Sequence, residues 1–146
     1  MYTSEKSTKL TLGVTYLAAV ILALLMVFAS PIAKHILGEG AINAFHAAVT
    51  AFYVCCPAGW LALYSIRKIL KNVLSDTVFT NDTVKLLRHL SWYCAFVAAV
   101  SFTTTFFCRI FFTFTIGAAF MTLILRVRKN VMAKAVELKE ENELTI

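Results

Sequence analysis

Few side chains in this chain of 146 residues could do acid–base chemistry. The histidines are His35, His46 and His89, and the aspartates are Asp76 and Asp82. Nucleophilic catalysis needs a nucleophile, a base within hydrogen-bond reach and a group that stabilises developing charge. No spacing in the sequence supplies such a set, and there is no Gly-rich phosphate loop or HExxH zinc motif. We therefore expect that the protein is not an enzyme and holds no cofactor.

Two polar residues among the apolar stretches, His46 and Arg109, are candidates for an intramembrane polar site. His46 follows His35 and Glu39, and zinc accepts imidazole and carboxylate ligands. Three scattered groups are a weak pattern, so we expect a hydrogen-bonded histidine rather than a metal site. Arg109 is the one ionisable residue that could mark a transport path. The interpretation that we favour is an end residue whose guanidinium extends to the membrane surface.

Two polar segments carry charges that could bind a partner. The range 67–89 is the long polar interruption of an apolar sequence, and the range 128–146 ends in glutamates. Exposed charges are often only solvated, so the cations of the range 67–89 have three interpretations: contact with anionic lipid, pairing with the acidic tail, and docking of a cytosolic partner. The candidate interaction residues are Arg67, Lys68, Lys71, Lys85, Arg88, Glu137, Glu140, Glu141 and Glu143.

The composition indicates that lipid surrounds most of the chain. Hydrophobic residues make up 60% of the sequence and charged residues 15%, whereas soluble domains average roughly 45–50% and about 25%. The net charge is +6, and the cations flank apolar runs, where membrane topology places them. We therefore attribute the basic balance to membrane orientation and expect no direct binding of nucleic acid.

Four apolar runs predict four membrane spans, at about 10–33, 41–66, 90–108 and 110–127, because about 20 helical residues cross the hydrocarbon core. The predicted fold is all-α: an integral membrane four-helix bundle of two transmembrane hairpins, forming a single membrane domain over 1–146. Pro31 is expected to mark a helix end or a kink. No Gly, Pro or Asn lies between Leu90 and Ile116, so the position of the third turn, near Arg109, is open.

The polar segments are expected to be helical as well. The range 67–89 predicts a cytosolic helical hairpin that breaks at Ser75-Asp76-Thr77 and restarts where Thr80 caps a new helix. The range 128–146 predicts a cytosolic helical tail. This tail should fray near Asn142 unless a cation meets its end, because acids oppose the dipole at a helix C-terminus.

Positive charge predicts the orientation of the chain. Lys and Arg concentrate near the N-terminus, in the range 67–89 and after Arg126, whereas the two other loops contain only Lys34 and Arg109. Because cytoplasmic loops carry the excess of Lys and Arg, both termini and the central loop are expected in the cytosol.

Two stretches carry a family resemblance: Val78–Cys94, VFTNDTVKLLRHLSWYC, and Val136–Ile146, VELKEENELTI. With the four-span plan, they resemble DUF2975, a family of bacterial membrane proteins without an established activity. The specific part is the FTxxT helix start and the EENxLTI ending. The resemblance implies a multi-pass protein of the bacterial cytoplasmic (inner) membrane. It also implies a small helix-turn-helix regulator of the Cro/CI type as a partner, because genes of this family often neighbour such a regulator.

The predicted function is therefore that of an interaction or sensory partner, which presents the range 67–89 and the tail to a cytosolic helix-turn-helix regulator. The alternative is a small transporter, immunity or envelope-stress protein that binds an apolar ligand between its spans. The expected partners are the lipid bilayer, the regulator and, as a further option, a second copy of this chain.

Overall fold

Four α-helices make up the part of the chain that the computed structural model describes, residues 2–38, 40, 42–75 and 77–145, with side chains from Lys6 onward. The helices are α1 (Tyr2–Leu37), α2 (Ile42–Leu74), α3 (Asn81–Thr105) and α4 (Phe111–Leu144), and no strand occurs within these residues. The all-α prediction is therefore confirmed. Within the same residues, three helices, α1, α2 and α4, are long and apolar enough to cross a membrane.

The helices pack in sequence order. Close backbone contacts join α1 to α2, α2 to α3 and α3 to α4, and no other pair of helices approaches as closely within the described ranges. Contacts between α1 and α2 involve Leu22, which meets Gly59, and the main-chain oxygen of Met26, which accepts a hydrogen bond from the Tyr53 hydroxyl at 3.0 Å. α1 is therefore a peripheral helix that depends on α2 for its position.

The buried apolar core lies where α2, α3 and α4 meet. Its central side chains are Leu87 and Leu90 of α3 and Leu125 of α4. Partly buried apolar residues of all three helices surround them: Ala62, Ile66, Ile69, Cys94 and Met132. The core therefore joins the second half of α2 to the first half of α3 and the middle of α4, next to the turn between α2 and α3.

The turn between α2 and α3 follows the sequence prediction in its limits. α2 continues past its apolar run to Leu74, and α3 begins at Asn81 with Asp82 in its first turn. The prediction that Thr80 caps α3 with its side chain is wrong. The Thr80 hydroxyl instead donates to the main-chain oxygen of Thr77 at 3.3 Å and lies 3.1 Å from the Thr83 hydroxyl. Asp76, part of the predicted break, lies outside the described residues.

The turn between α3 and α4 occupies residues 106–110 and contains Arg109, near the position that the sequence left open. α3 ends at Thr105, before the end of the predicted third span at 108. The main-chain N–H of Cys108 donates to the oxygen of Thr104 at 2.9 Å, and the N–H of Phe111 donates to Cys108 at 3.1 Å. These bonds satisfy groups at both helix ends and make the turn tight.

α1 does not end at Pro31, which was one of the two outcomes expected there, and α4 continues beyond the residue where fraying was expected in the absence of a cation. α1 continues through Pro31 to Leu37 and ends at Gly38, whose φ of 73° is a left-handed conformation that glycine adopts without a Cβ penalty. α4 continues past Asn142 to Leu144. Lys139 Nζ lies 3.9 Å from Glu143 Oε1, so a cation from one turn earlier lies beside the acidic end of the helix.

Candidate functional site

All nine candidate interaction residues lie at one end of the molecule, which we call the charged end. It comprises the C-terminal part of α2, the N-terminal part of α3 and the C-terminal part of α4. All nine side chains are exposed, and we call them together the docking surface. The structure therefore brings together two segments that are separated by almost 50 residues in sequence and that sequence analysis had identified independently.

A polar cluster around the buried Thr83, which we call the buried cluster, connects the two helices at the charged end. Thr83 is 1% exposed, the most buried side chain in the described part of the molecule. Its hydroxyl oxygen accepts a hydrogen bond from Asn72 Nδ2 at 3.3 Å and lies 3.1 Å from the Thr80 hydroxyl. The Ser75 hydroxyl donates to the main-chain oxygen of Lys71 at 3.0 Å and lies 2.9 Å from the hydroxyl of Thr77. These bonds tie the end of α2 to the start of α3.

Sequence analysis missed the roles of Asn72 and Thr83. The signal for Thr83 was present, because this residue is the last threonine of the FTxxT helix start. Nothing in the local pattern pointed to Asn72, since its partner lies on another helix.

The tail reaches the hairpin through an amide rather than through an ion pair. Asn81 Nδ2 donates to Glu140 Oε1 at 3.4 Å, and Val136, one turn before Glu140, is only 5% exposed. Among the described residues, no ion pair joins a cation of the docking surface to a glutamate of the tail. Lys85 instead lies 3.9 Å from Asp82 on its own helix, a distance at which an exposed pair contributes little. The cations of the docking surface are therefore not neutralised by the glutamates of the tail.

His46 and Arg109 are both exposed and lie near the opposite end, but they do not share a site. His46 lines a groove of about 480 Å³ between α2 and α3, together with Thr103 and Thr104. Both hydroxyls donate to the main-chain oxygen of Val100 at 2.8 Å, so they offer only lone pairs to the groove. Arg109 does not line this groove. The threonine-rich part of α3 therefore faces a histidine rather than the arginine.

The described side chains contain no group of three potential metal ligands. His35 lies on α1 and lines a different cavity from His46. Glu39, the third member of the weak metal pattern, lies outside the described residues.

A family assignment follows from the chain as a whole. The family described as "Protein of unknown function (DUF2975)" matches residues 12–146, which include the whole docking surface. The chain belongs to the DUF2975 family. The predicted resemblance is thus confirmed at the level of the family. No curated protein and no solved structure matches the chain.

An apolar cavity of about 330 Å³ in this DUF2975 chain lies away from the charged end. It is formed by the C-terminal half of α1, the N-terminal part of α2, the turn at 106–110 and the start of α4. Large aliphatic side chains form most of its α1 wall, with Ala29 and Ala33 between them, and α2 and α4 contribute three aromatic side chains: Phe52, Phe111 and Phe114. The cavity can hold an apolar molecule because it offers almost no hydrogen-bonding group.

Proposed function

We propose that this DUF2975 protein is a four-span protein of the bacterial cytoplasmic membrane that presents its charged end to a cytosolic helix-turn-helix regulator. Three of its helices have the length and composition of membrane spans. All but two of its 14 Lys and Arg residues, Lys34 and Arg109, lie toward the charged end. Since cytoplasmic segments carry the excess of Lys and Arg, the distribution supports a cytosolic charged end with both termini inside.

The lengths of the helices support a charged end that extends beyond the membrane. α2 has 33 residues and α4 has 34, which is about 50 Å for each at 1.5 Å per residue. The hydrocarbon core is about 30 Å thick. The apolar parts of both helices lie at their N-terminal sides, so the excess of about 20 Å belongs to the charged end.

The mixed charge of one fixed surface is the observation that carries this proposal. The cations of α2 and α3 and the glutamates of α4 are exposed at the same end of the molecule, and the Asn81–Glu140 bond and the buried Val136 hold the tail against the hairpin. Glutamates beside the cations would repel nucleic-acid phosphates. A protein with complementary charges fits this surface better, because such complementarity guides both encounter and register.

Affinity purification from native membranes tests the proposal. The variant Lys85→Gln/Arg88→Gln and the variant Glu137→Gln/Glu141→Gln each remove exposed charges without touching the buried cluster. Lys34→Gln, at the opposite end, is the matched control. We expect both double variants to recover the helix-turn-helix regulator at least about fivefold less well, roughly 1 kcal/mol, whereas the control recovers it as the wild type does. Equal recovery of the regulator with the wild type and all three variants would show that the docking surface does not bind it.

The apolar cavity favours a second candidate function, that of a small transporter, immunity or envelope-stress protein that binds an apolar ligand. The same purified protein distinguishes the two. Organic extraction followed by mass spectrometry should then yield one stoichiometric apolar molecule, and Ala33→Phe, which fills the cavity, should lose it. If no molecule is recovered in stoichiometric amount, or if Ala33→Phe retains it, this candidate is removed.

A further inference from the structure

A second cleft, between α1 and α2, differs from the apolar cavity because polar donors lie at one end of it. Its volume is about 340 Å³, and it lies where Tyr16 of α1 faces Tyr64 and Arg67 of α2. Arg67 is the first charged residue after the uncharged part of α2, which extends from residue 42 to residue 66. The cleft therefore lies at the inner boundary of the proposed span, the level at which lipid headgroups and aromatic side chains meet.

The guanidinium of Arg67 is oriented but not neutralised. It lies over the ring of Tyr16, 5.2 Å from the ring centroid, a cation–π contact that directs the side chain toward α1. No described carboxylate lies within ion-pair distance of Arg67. A guanidinium carries five N–H donors in a planar fork and matches the geometry of a phosphate. Arg67 is therefore an oriented phosphate-binding group at the mouth of a cleft.

The other polar groups of the cleft are tyrosine hydroxyls, which are free to donate, and two groups whose hydrogen bonds are already used. The hydroxyl of Tyr64 has no hydrogen-bond partner in the described part of the molecule, and the residue is 61% exposed. The Thr15 hydroxyl donates to the main-chain oxygen of Thr11 at 2.9 Å, and Trp60 Nε1 donates to Met26 Sδ at 3.4 Å. The Tyr16 hydroxyl also has no hydrogen-bond partner among the described residues, so Tyr16, Tyr64 and Arg67 are the side chains of the cleft that can donate hydrogen bonds.

Apolar surface continues from these donors toward the middle of α2. Ala19 of α1, together with Leu63 and the indole of Trp60 from α2, forms the rest of the cleft wall. In the 18-residue apolar stretch of α1, no residue is buried by other parts of the protein, so lipid reaches the cleft from the side. A ligand that fits must combine an anionic head with an apolar chain.

We propose that this cleft is a binding site for an anionic phospholipid of the cytosolic leaflet. The phosphate accepts hydrogen bonds from Arg67 and Tyr64, and an acyl chain lies along Leu63 and Ala19. A net-negative headgroup is preferred over a zwitterionic one because no described carboxylate of the cleft can pair with a choline or ethanolamine cation, while Arg67 repels it. This inference requires the proposed orientation of α1 and α2 but not the regulator.

Native mass spectrometry of the full-length protein in nanodiscs of equal phosphatidylglycerol and phosphatidylcholine tests the site. Lys68→Gln is the matched control, since it removes a neighbouring cation that does not line the cleft. We expect Arg67→Gln to reduce the retained phosphatidylglycerol at least about fivefold and Tyr64→Phe to reduce it about threefold, because a charge-assisted hydrogen bond is roughly twice as strong as a neutral one. Lys68→Gln should reduce it less than twofold.

Three outcomes would overturn the proposal. Equal losses in Arg67→Gln and Lys68→Gln would mean that lipid responds only to total charge. Undiminished retention in Arg67→Gln would place the lipid elsewhere. Displacement of phosphatidylglycerol by millimolar inorganic phosphate would mean that the cleft selects free phosphate and not a lipid. Arg67→Lys, which keeps the charge, and circular dichroism of each variant separate loss of the lipid from loss of the fold; Arg67→Lys is expected to retain at least half of the bound lipid.

Discussion

A single threonine links the family motif to the geometry of the charged end. Thr83 is buried, and its hydroxyl contacts Asn72 of α2 and Thr80 at the start of α3. The sequence predicted that a helix starts here, because Asn, Asp and Thr favour helix N-termini. It could not predict Asn72 as the partner, since the two residues are 11 positions apart and meet only through the crossing of two helices. Local patterns specify helices, whereas side-chain partners between helices depend on packing.

Thr83→Val should destabilise the protein, because it keeps the shape of the side chain but leaves Asn72 Nδ2 without its acceptor. An unsatisfied buried polar group costs about 1–3 kcal/mol. Because Asn72 is only partly buried, we expect the low end of that range, about 1 kcal/mol, and a fall in Tm of roughly 3–4 °C for a chain of this size. Thermal unfolding in detergent, followed by circular dichroism, measures the change. Thr122→Val is the control, because the Thr122 hydroxyl donates only to Ala118 of its own helix. Equal shifts for the two variants would show that the buried cluster has no special role.

At the scale of the elements, α3 accounts for a difference between the sequence and the structure. The sequence predicted four spans, whereas three of the described helices, α1, α2 and α4, are apolar enough by composition to cross a membrane. Arg88 and His89 precede the apolar part of α3, and Thr103, Thr104 and Thr105 end it. Neighbours on both sides cover α3, since it packs against α2 and α4. Its buried residues include small polar ones, Ser91, Ser101 and Thr104. A helix that other helices cover needs less apolar surface than one that faces lipid, and small residues let the backbones approach closely.

Helix ends were predicted less well than helix positions, and the reasons are energetic. The opposition between acids and a helix dipole amounts to only about 0.3–1 kcal/mol for each exposed residue, so the helical propensity of the tail is enough to carry α4 to Leu144. Pro31 removes one backbone hydrogen bond, which apolar helices tolerate when local adjustment satisfies the freed carbonyl. Both effects were recognised in the sequence, but their sizes did not determine where the helices end.

Ser91→Leu tests whether α3 requires small residues where it is covered. Ser91 is 5% exposed, so a leucine there must displace a neighbouring helix, and overpacking costs typically about 1–3 kcal/mol. We expect a fall in Tm of several degrees and a smaller yield of the monodisperse protein in detergent. The adjacent Trp92 is 63% exposed, so Trp92→Leu should change Tm much less. A larger effect of Trp92→Leu than of Ser91→Leu would contradict the packing that we describe.

At the scale of the whole molecule, charge proved more informative than periodicity. The nine residues of the docking surface were selected from two separate segments, and the structure places them at one end. The charged residues lie between and after the apolar runs of the sequence. When the chain folds into antiparallel helices, these charged segments therefore come together at one end. The clefts were not predictable, since they depend on how far α1 separates from α2 and α4. The proposed lipid site and the apolar cavity therefore emerged only from the packed helices.

The number of spans is the property of the whole molecule on which the orientation of the docking surface depends. With four spans, Lys71 on α2 and Lys134 on α4 face the same compartment. If α3 does not cross, so that only α1, α2 and α4 span the membrane, the same two residues face opposite compartments. A membrane-impermeant maleimide distinguishes these topologies when it is applied to intact spheroplasts and to permeabilised ones that express Lys71→Cys, Lys134→Cys or Lys34→Cys.

We expect Lys34→Cys to be labelled in intact spheroplasts, and Lys71→Cys and Lys134→Cys to be labelled only after permeabilisation, with a difference of about tenfold or more. The physical reason is that transfer of charged residues such as those around Lys71 and Lys134 through the membrane is costly, so they stay inside. The wild-type protein measures the background from its own cysteines, which are buried or half-buried within the helices and the turn at 106–110. Labelling of Lys134→Cys but not Lys71→Cys in intact spheroplasts would establish three spans. The tail and the hairpin would then face opposite compartments. The two halves of the docking surface could not bind a single cytosolic partner, so the proposal of one docking surface would be wrong.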